Sequence, residues 1–187
     1  MYDTSDIRKG LKFIVDGQPW IVVDFQFVKP GKGVAFTRTR TKNMITGSVR
    51  DTTYRTGEKL EPANLEDRTM QFLYKEGDEY HFMDTNTYDQ VMVVESNLGD
   101  APKFLKDNTE VNILFFESRA VSVDLPIFVQ LEVTRTEPGV KGDTASGATK
   151  PATLETGHTV NVPLFVEEGV LLKIDTRNGA YVERVKR

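Results

Sequence analysis

Short apolar runs with a period of two, separated by glycine, proline, asparagine and aspartate, repeat along the whole chain and read as strands joined by turns. Residues 12–15 and 20–28 form the first pair, with Asp16-Gly17 as the turn signal between them. Further strands are predicted over 34–41 and 48–55, with turns at 43–47 and at Gly57-Glu58-Lys59. This spacing predicts a small SH3-like barrel whose core is filled by the sole tryptophan, Trp20. Proline and polar residues at 61–64 interrupt the strand pattern and mark a boundary.

Beyond that boundary the alternation restarts. Runs at 70–74, 80–83, 90–94, 111–116 and 120–123, with a short helix inside 98–106 opened near Pro102, make up an OB-fold inventory. Phe72, Tyr74, Tyr80, Phe82, Phe104, Phe115 and Phe116 have strand spacing and acidic neighbours, so most of them read as core and not as a base-stacking platform. A strand over 127–135 opens the last unit, followed by a loop over 136–149 long enough to be functional or mobile. Strands at 160–162, 171–174 and 181–185 complete a second OB-type barrel. The expected fold is all-β, with an SH3-like domain over 1–64 and OB-fold domains over 65–126 and 127–187.

At 187 residues the chain has room for three such units, each near the lower size limit for independent folding. The absence of cysteine excludes a disulfide framework, a thiolate metal site and a cysteine nucleophile, and it fits a reducing compartment. No apolar run approaches the roughly 20 residues of a membrane span, and the first residues are too polar for a signal peptide, so a cytoplasmic protein is expected. The net charge of −4 hides an asymmetry. Residues 1–65 carry 11 Lys and Arg against 7 Asp and Glu, a balance of +4, while the remainder carries 13 against 21, or −8.

That asymmetry sharpens between residues 25 and 50, where Lys29, Lys32, Arg38, Arg40, Lys42 and Arg50 meet no acid in sequence. Val34, Phe36, Arg38, Arg40 and Lys42 share one strand parity, so three cations form a stripe leading away from the hairpin tip. The tip is Lys29-Pro30-Gly31-Lys32-Gly33: Pro30 presets one φ, Gly31 and Gly33 allow positive φ, and Lys32 has no bulky neighbour to pack on. Such a turn is ordinary in isolation. A one-sign run in an acidic chain points to a polyanion. It is not a phosphate-binding P-loop, because Gln26 replaces the first glycine and Gly33 the hydroxyl residue. Gly142-Asp143-Thr144 offers backbone donors and a hydroxyl to a phosphate or ribose. His81 and His158 have no partner at ligand spacing, no nucleophile elbow is present, and Glu167 and Glu168 read as turn residues. Neither a metal nor an enzymatic activity is expected.

The lysine-tipped hairpin, the three all-β units and the segment from Lys150-Pro151-Ala152 through Gly157 and Val160-Asn161-Val162-Pro163 to Gly169 together resemble the bacterial elongation factor P family. The likeness runs from residues 6–10 to the Gly179-x-Tyr181-x-x-Arg184 ending, with no departure at the motif positions. The resemblance implies a tRNA-shaped translation elongation factor that contacts both ribosomal subunits beside the peptidyl-tRNA and relieves stalling at consecutive prolines. It implies that Lys32 receives a covalent extension, of β-lysyl type, from a lysine-modifying enzyme, and that no other cofactor is needed. It places Asp143 and Thr144 near messenger RNA and Tyr181 and Arg184 near tRNA or the small subunit. A monomer that does not engage membranes is expected. The alternative is a generic RNA-binding OB-fold module, in which Arg38, Arg40 and Lys42 matter as much as Lys32.

Overall fold

Strand pairing accounts for nearly all regular structure in the computed structural model, which describes residues 1–139 and 147–186. The first sheet contains β1 (Tyr2–Asp3), β2 (Lys12–Val15), β3 (Gln18–Val28), β4 (Phe36–Asn43), β5 (Val49–Arg55) and β6 (Lys59–Pro62) in the order β1-β6-β2-β3-β4-β5. The second contains β7 (Glu66–Glu76), β8 (Glu79–Asp84), β9 (Gln90–Val94), β10 (Glu110–Phe116) and β11 (Arg119–Asp124), ordered β11-β10-β7-β8-β9. The third contains β12 (Phe128–Thr136), β13 (Thr149–Leu154), β14 (Thr159–Pro163), β15 (Leu171–Asp175) and β16 (Ala180–Arg184), ordered β14-β13-β12-β15-β16. Contacts group the chain into two compact units, Met1–Asp67 with Leu114–Ser122 and Arg68–Ile113 with Val123–Arg187. Among the described residues no helix is long and apolar enough to cross a membrane.

In the first unit Ile7, Phe13, Trp20, Val22 and Leu60 form the core, with Tyr2 and Tyr54 packed at its edge. Trp20 is buried as its sequence context predicts, and the Arg50 guanidinium lies 4.1 Å from its ring centroid as a lid. The sequence pattern predicts no strand between the turn at Gly57-Glu58-Lys59 and residue 64, yet one is present there. Lys59–Pro62 is a strand that pairs with both β1 and β2, placing Leu60 opposite Tyr2 and Pro62 opposite Phe13. Pro62 is tolerated because it ends the strand, where no further ladder donor is required. Asp3 and Lys59 are paired across the β1–β6 ladder and add an ion pair there.

The second unit holds the core of the third sheet and the buried aromatics of β7 and β8. Phe72 packs on Tyr80 and Phe82 at centroid distances of 5.6 and 5.5 Å, as expected for core aromatics. Tyr74 departs from that expectation: the register shifts between Phe72 and Tyr74, and this bulge turns Tyr74 outward to stack on His81. The short helix expected inside 98–106 is a single 3-10 turn, Ala101–Lys103 with Pro102 in its first turn, and another such turn, Glu95–Asn97, precedes it. They deliver Phe104 into the core of the third sheet, beside Leu131, Leu154 and Ile174. The Phe104 ring meets His158 edge-on, and the Thr156 hydroxyl donates to the Lys103 carbonyl. Gly179 closes this seam at φ +72, and a Cβ there would lie 3.2 Å from His158 Nε2. The loop expected over 136–149 gives way at residue 149 to a strand that the sequence pattern does not predict, β13. Pro151 hides it; Pro151 is paired opposite Asn161 in an interior strand of the sheet, where proline is normally excluded.

Asp84, at the end of β8, is nearly buried and accepts the N–H groups of Asn86 (2.7 Å) and Thr87 (3.1 Å). Those two donors hold its carboxyl below the ordinary value of 3.8. A depressed folded-state value contributes stability that is complete above the unfolded value and is lost as pH falls through the folded one. Asp84→Asn is therefore expected to flatten the acid limb of the stability profile below about pH 4. Urea midpoints measured from pH 7 to 2.5 test this, and parallel limbs for the variant and the parent would refute it.

Candidate nucleic-acid interface

The β3–β4 hairpin forms an arm whose ladder runs from Trp20↔Asn43 to Val28↔Phe36. The Ala35 carbonyl accepts from both the backbone N and the hydroxyl of Thr56, at 3.0 and 2.9 Å, so the free tip comprises residues 29–34. Lys29, Gly31, Lys32 and Gly33 are exposed and Pro30 is half-buried. Gly33 is at φ +105, whereas Gly31 is not in the left-handed region, so only one of the two glycines is required by the backbone. Gly33→Ala is expected to cost about 1–2 kcal/mol and Gly31→Ala no more than a few tenths. Chemical denaturation of the two variants distinguishes them, and equal midpoints would contradict the assignment.

Along β4, Thr37, Thr39, Thr41 and Asn43 are buried while Arg38, Arg40 and Lys42 are exposed, as the parity predicts. The three cations are not equivalent. Arg40 is held by Asp51 of β5 through bonds of 3.0 and 3.3 Å, which lower the Asp51 carboxyl and raise the guanidinium, and Asp24 lies across from it on β3. Antiparallel neighbours supply the acids that the strand itself lacks. Arg38 lies over the Phe36 ring at 5.5 Å, and among the described residues Lys29, Lys32, Arg38 and Lys42 form no ion pair with a carboxylate. A mixed-sign sheet face thus leads to a wholly cationic tip.

The opposite face of the arm carries features that the charge pattern does not announce. Phe25 and Phe27 lie across from Thr39 and Thr37 and are 39% and 60% exposed. Their common parity with the buried threonines, read through the register, is the signal that would have found them.

In the third sheet Tyr181 pairs with Ile174 and packs against the core, so it is partly structural. Arg184 is exposed, with its guanidinium 5.9 Å from the centroid of the exposed Phe165 ring. Gly142, Asp143 and Thr144 lie outside the described residues. Lys150 is buried, and its ammonium donates to the Glu137 carbonyl at 2.6 Å, tying β13 to the segment that follows β12.

Three family models match successive parts of the chain. The elongation factor P KOW-like domain covers residues 3–60, its OB domain 65–123 and its C-terminal domain 129–184. The chain is 52% identical over 187 residues to elongation factor P of Desulfatibacillum aliphaticivorans, covering all of both chains. It is 54% identical over 186 residues to elongation factor P 2 of Geobacter sulfurreducens, again covering both in full. Among solved structures, a protein titled eukaryotic translation initiation factor 5A from Methanococcus jannaschii matches 67% of this chain and 90% of its own. With a TM-score of 0.54 and 23% identity, it shares the fold.

Proposed function

The chain belongs to the elongation factor P family of translation elongation factors, and from that premise we propose that it binds the ribosome beside the peptidyl-tRNA and uses Lys32 to relieve stalling at consecutive prolines. The observation that carries this reading is Lys32 itself, an exposed cation beyond the last paired residues of the arm and, among the described residues, without an ion-pair partner. Proline reacts slowly because its ring fixes φ and restricts the approach of the attacking nitrogen. A factor that orders the reacting end of the peptidyl-tRNA lowers the entropic part of that barrier without donating an acid, a base or a nucleophile. A long cation reaching phosphate and ribose supplies the ordering. A β-lysyl-type extension of Lys32, attached by a lysine-modifying enzyme, lengthens that reach.

The remaining cations divide by their partners. Arg38 and Lys42 dock the arm on RNA, and Arg40, already engaged by Asp51, contributes less. Gly142, Asp143 and Thr144 contact RNA, the last two at messenger RNA, while Tyr181 and Arg184 contact tRNA or the small subunit. The factor acts as a cytoplasmic monomer.

Two measurements test this reading. In a reconstituted translation system, adding the protein should restore synthesis through a run of prolines and leave a proline-free template unaffected. Binding to ribosomes carrying peptidyl-tRNA should exceed binding to free single-stranded RNA. Tight, salt-steep binding to free RNA with no preference for ribosomes would instead favour the generic RNA-binding module. Arg38→Ala and Lys42→Ala are each expected to lower the slope of log affinity against log salt by about one, and Arg40→Ala by less. Equal slopes for all three variants would remove the distinction drawn from the Asp51 pair.

A further inference from the structure

We infer that the β7–β8 hairpin holds a binding site for one divalent transition-metal ion, with Glu76, Glu79 and His81 as its protein ligands. The hairpin turns on Gly77-Asp78 with Gly77 at φ +60, which makes Glu76 and Glu79 direct cross-strand partners. His81 is two residues beyond Glu79 in the same strand and shares its face. One ligand-capable atom from each of the three lies within 4.8 Å of the others. His81 Nε2 is 3.9 Å from a Glu76 carboxylate oxygen and 3.8 Å from one of Glu79. The turn creates this spacing, and a search of the sequence for histidine partners passes over it.

Three observations favour a cation at this point. Carboxylates directly opposite each other repel, and the adjacent Lys75 is turned to Glu95 and does not relieve them. His81 Nε2 is shut off from water and has no hydrogen-bond partner, which is uncommon for a buried polar atom. The imidazole is held in plane by Tyr74, stacked at 4.5 Å and 16°, so that Nε2 stays directed between the two carboxylates. One imidazole nitrogen with two carboxylate oxygens suits zinc and its first-row neighbours better than magnesium or calcium, which take all-oxygen shells. Bonds of about 2.1 Å to a tetrahedral ion bring ligand atoms to roughly 3.4 Å apart, a contraction the glutamate side chains can supply by rotation, with water in the remaining position. This site is independent of the ribosomal reading.

The test uses full-length protein without a tag, stripped with chelator and titrated with zinc chloride by calorimetry and with cobalt chloride by visible absorption. One ion per chain is expected, with cobalt bands of a four- or five-coordinate site. His81→Ala and the double variant Glu76→Gln/Glu79→Gln should each weaken binding by more than the about tenfold that loss of even an outer-shell partner costs. His158→Gln, at the other histidine, should leave it unchanged. Absence of stoichiometric binding by the parent, or parental affinity in both variants, overturns the inference. If His81→Ala fails to fold, the double variant and the response of the His81 Nε2 nitrogen resonance to zinc carry the test, and an unmoved resonance overturns it.

Discussion

Lys32→Ala is expected to lose rescue of polyproline synthesis while melting like the parent. The side chain is exposed, lies outside the ladder and makes no contact with the first core, so its removal should change stability by no more than about 0.5 kcal/mol. Its contribution to rate is of a different size. If Lys32 restricts the motion of the reacting end, even a fifth of the roughly 7–11 kcal/mol that positioning can supply amounts to about tenfold or more in rate. Lys32→Arg separates charge from reach: a guanidinium preserves the cation but offers no primary amine for extension, so partial rescue would measure the share carried by charge alone. The assay is peptide yield from a template with consecutive prolines, normalised to one without. Parental rescue by Lys32→Ala would sink the mechanism.

Phe104→Ala should be among the most damaging single truncations, costing about 3–5 kcal/mol. Phe104 is buried, is delivered by the 3-10 turn Ala101–Lys103 and packs into the core of the third sheet and against His158. Its loss opens a cavity at a seam that cannot collapse readily, because Gly179 already brings the backbone close to His158 there. Phe165→Ala, which removes a ring that is 59% exposed, serves as the control and should stay within about 0.5 kcal/mol. Urea unfolding followed by far-ultraviolet circular dichroism measures both. A Phe104→Ala midpoint matching that of Phe165→Ala would remove Phe104 from the core.

The sequence revealed those features whose causes are local. Alternating apolar residues identified most of β2–β5, β8–β12 and β14–β16, because each strand buries one face. Strands defined by their partners escaped: Tyr2–Asp3 is too short to show a period, and Lys59–Pro62 becomes a strand only when Leu60 meets Tyr2. Bulges escaped as well. The register shift between Val22 and Asp24 places Phe25 and Phe27 on the face of Trp20 and Val22 despite their opposite parity. The same division holds for the candidate site. The tip lysine is legible because glycine, proline and charge are adjacent in sequence. The Arg40–Asp51 pair is separated by 11 residues and appears only through the β4–β5 register.

The open tip also bears on the life of the protein in the cell. Since residues 29–34 lie outside the β3–β4 ladder and apart from the first core, the proposed extension of the Lys32 amine would leave the folding of the arm unchanged. Surveillance proteases read the population of opened chains, so on that reading bare and extended forms would be cleared alike. If Lys32 is extended as proposed, the extended fraction, and not only the amount of folded protein, would set how much active factor the cell holds.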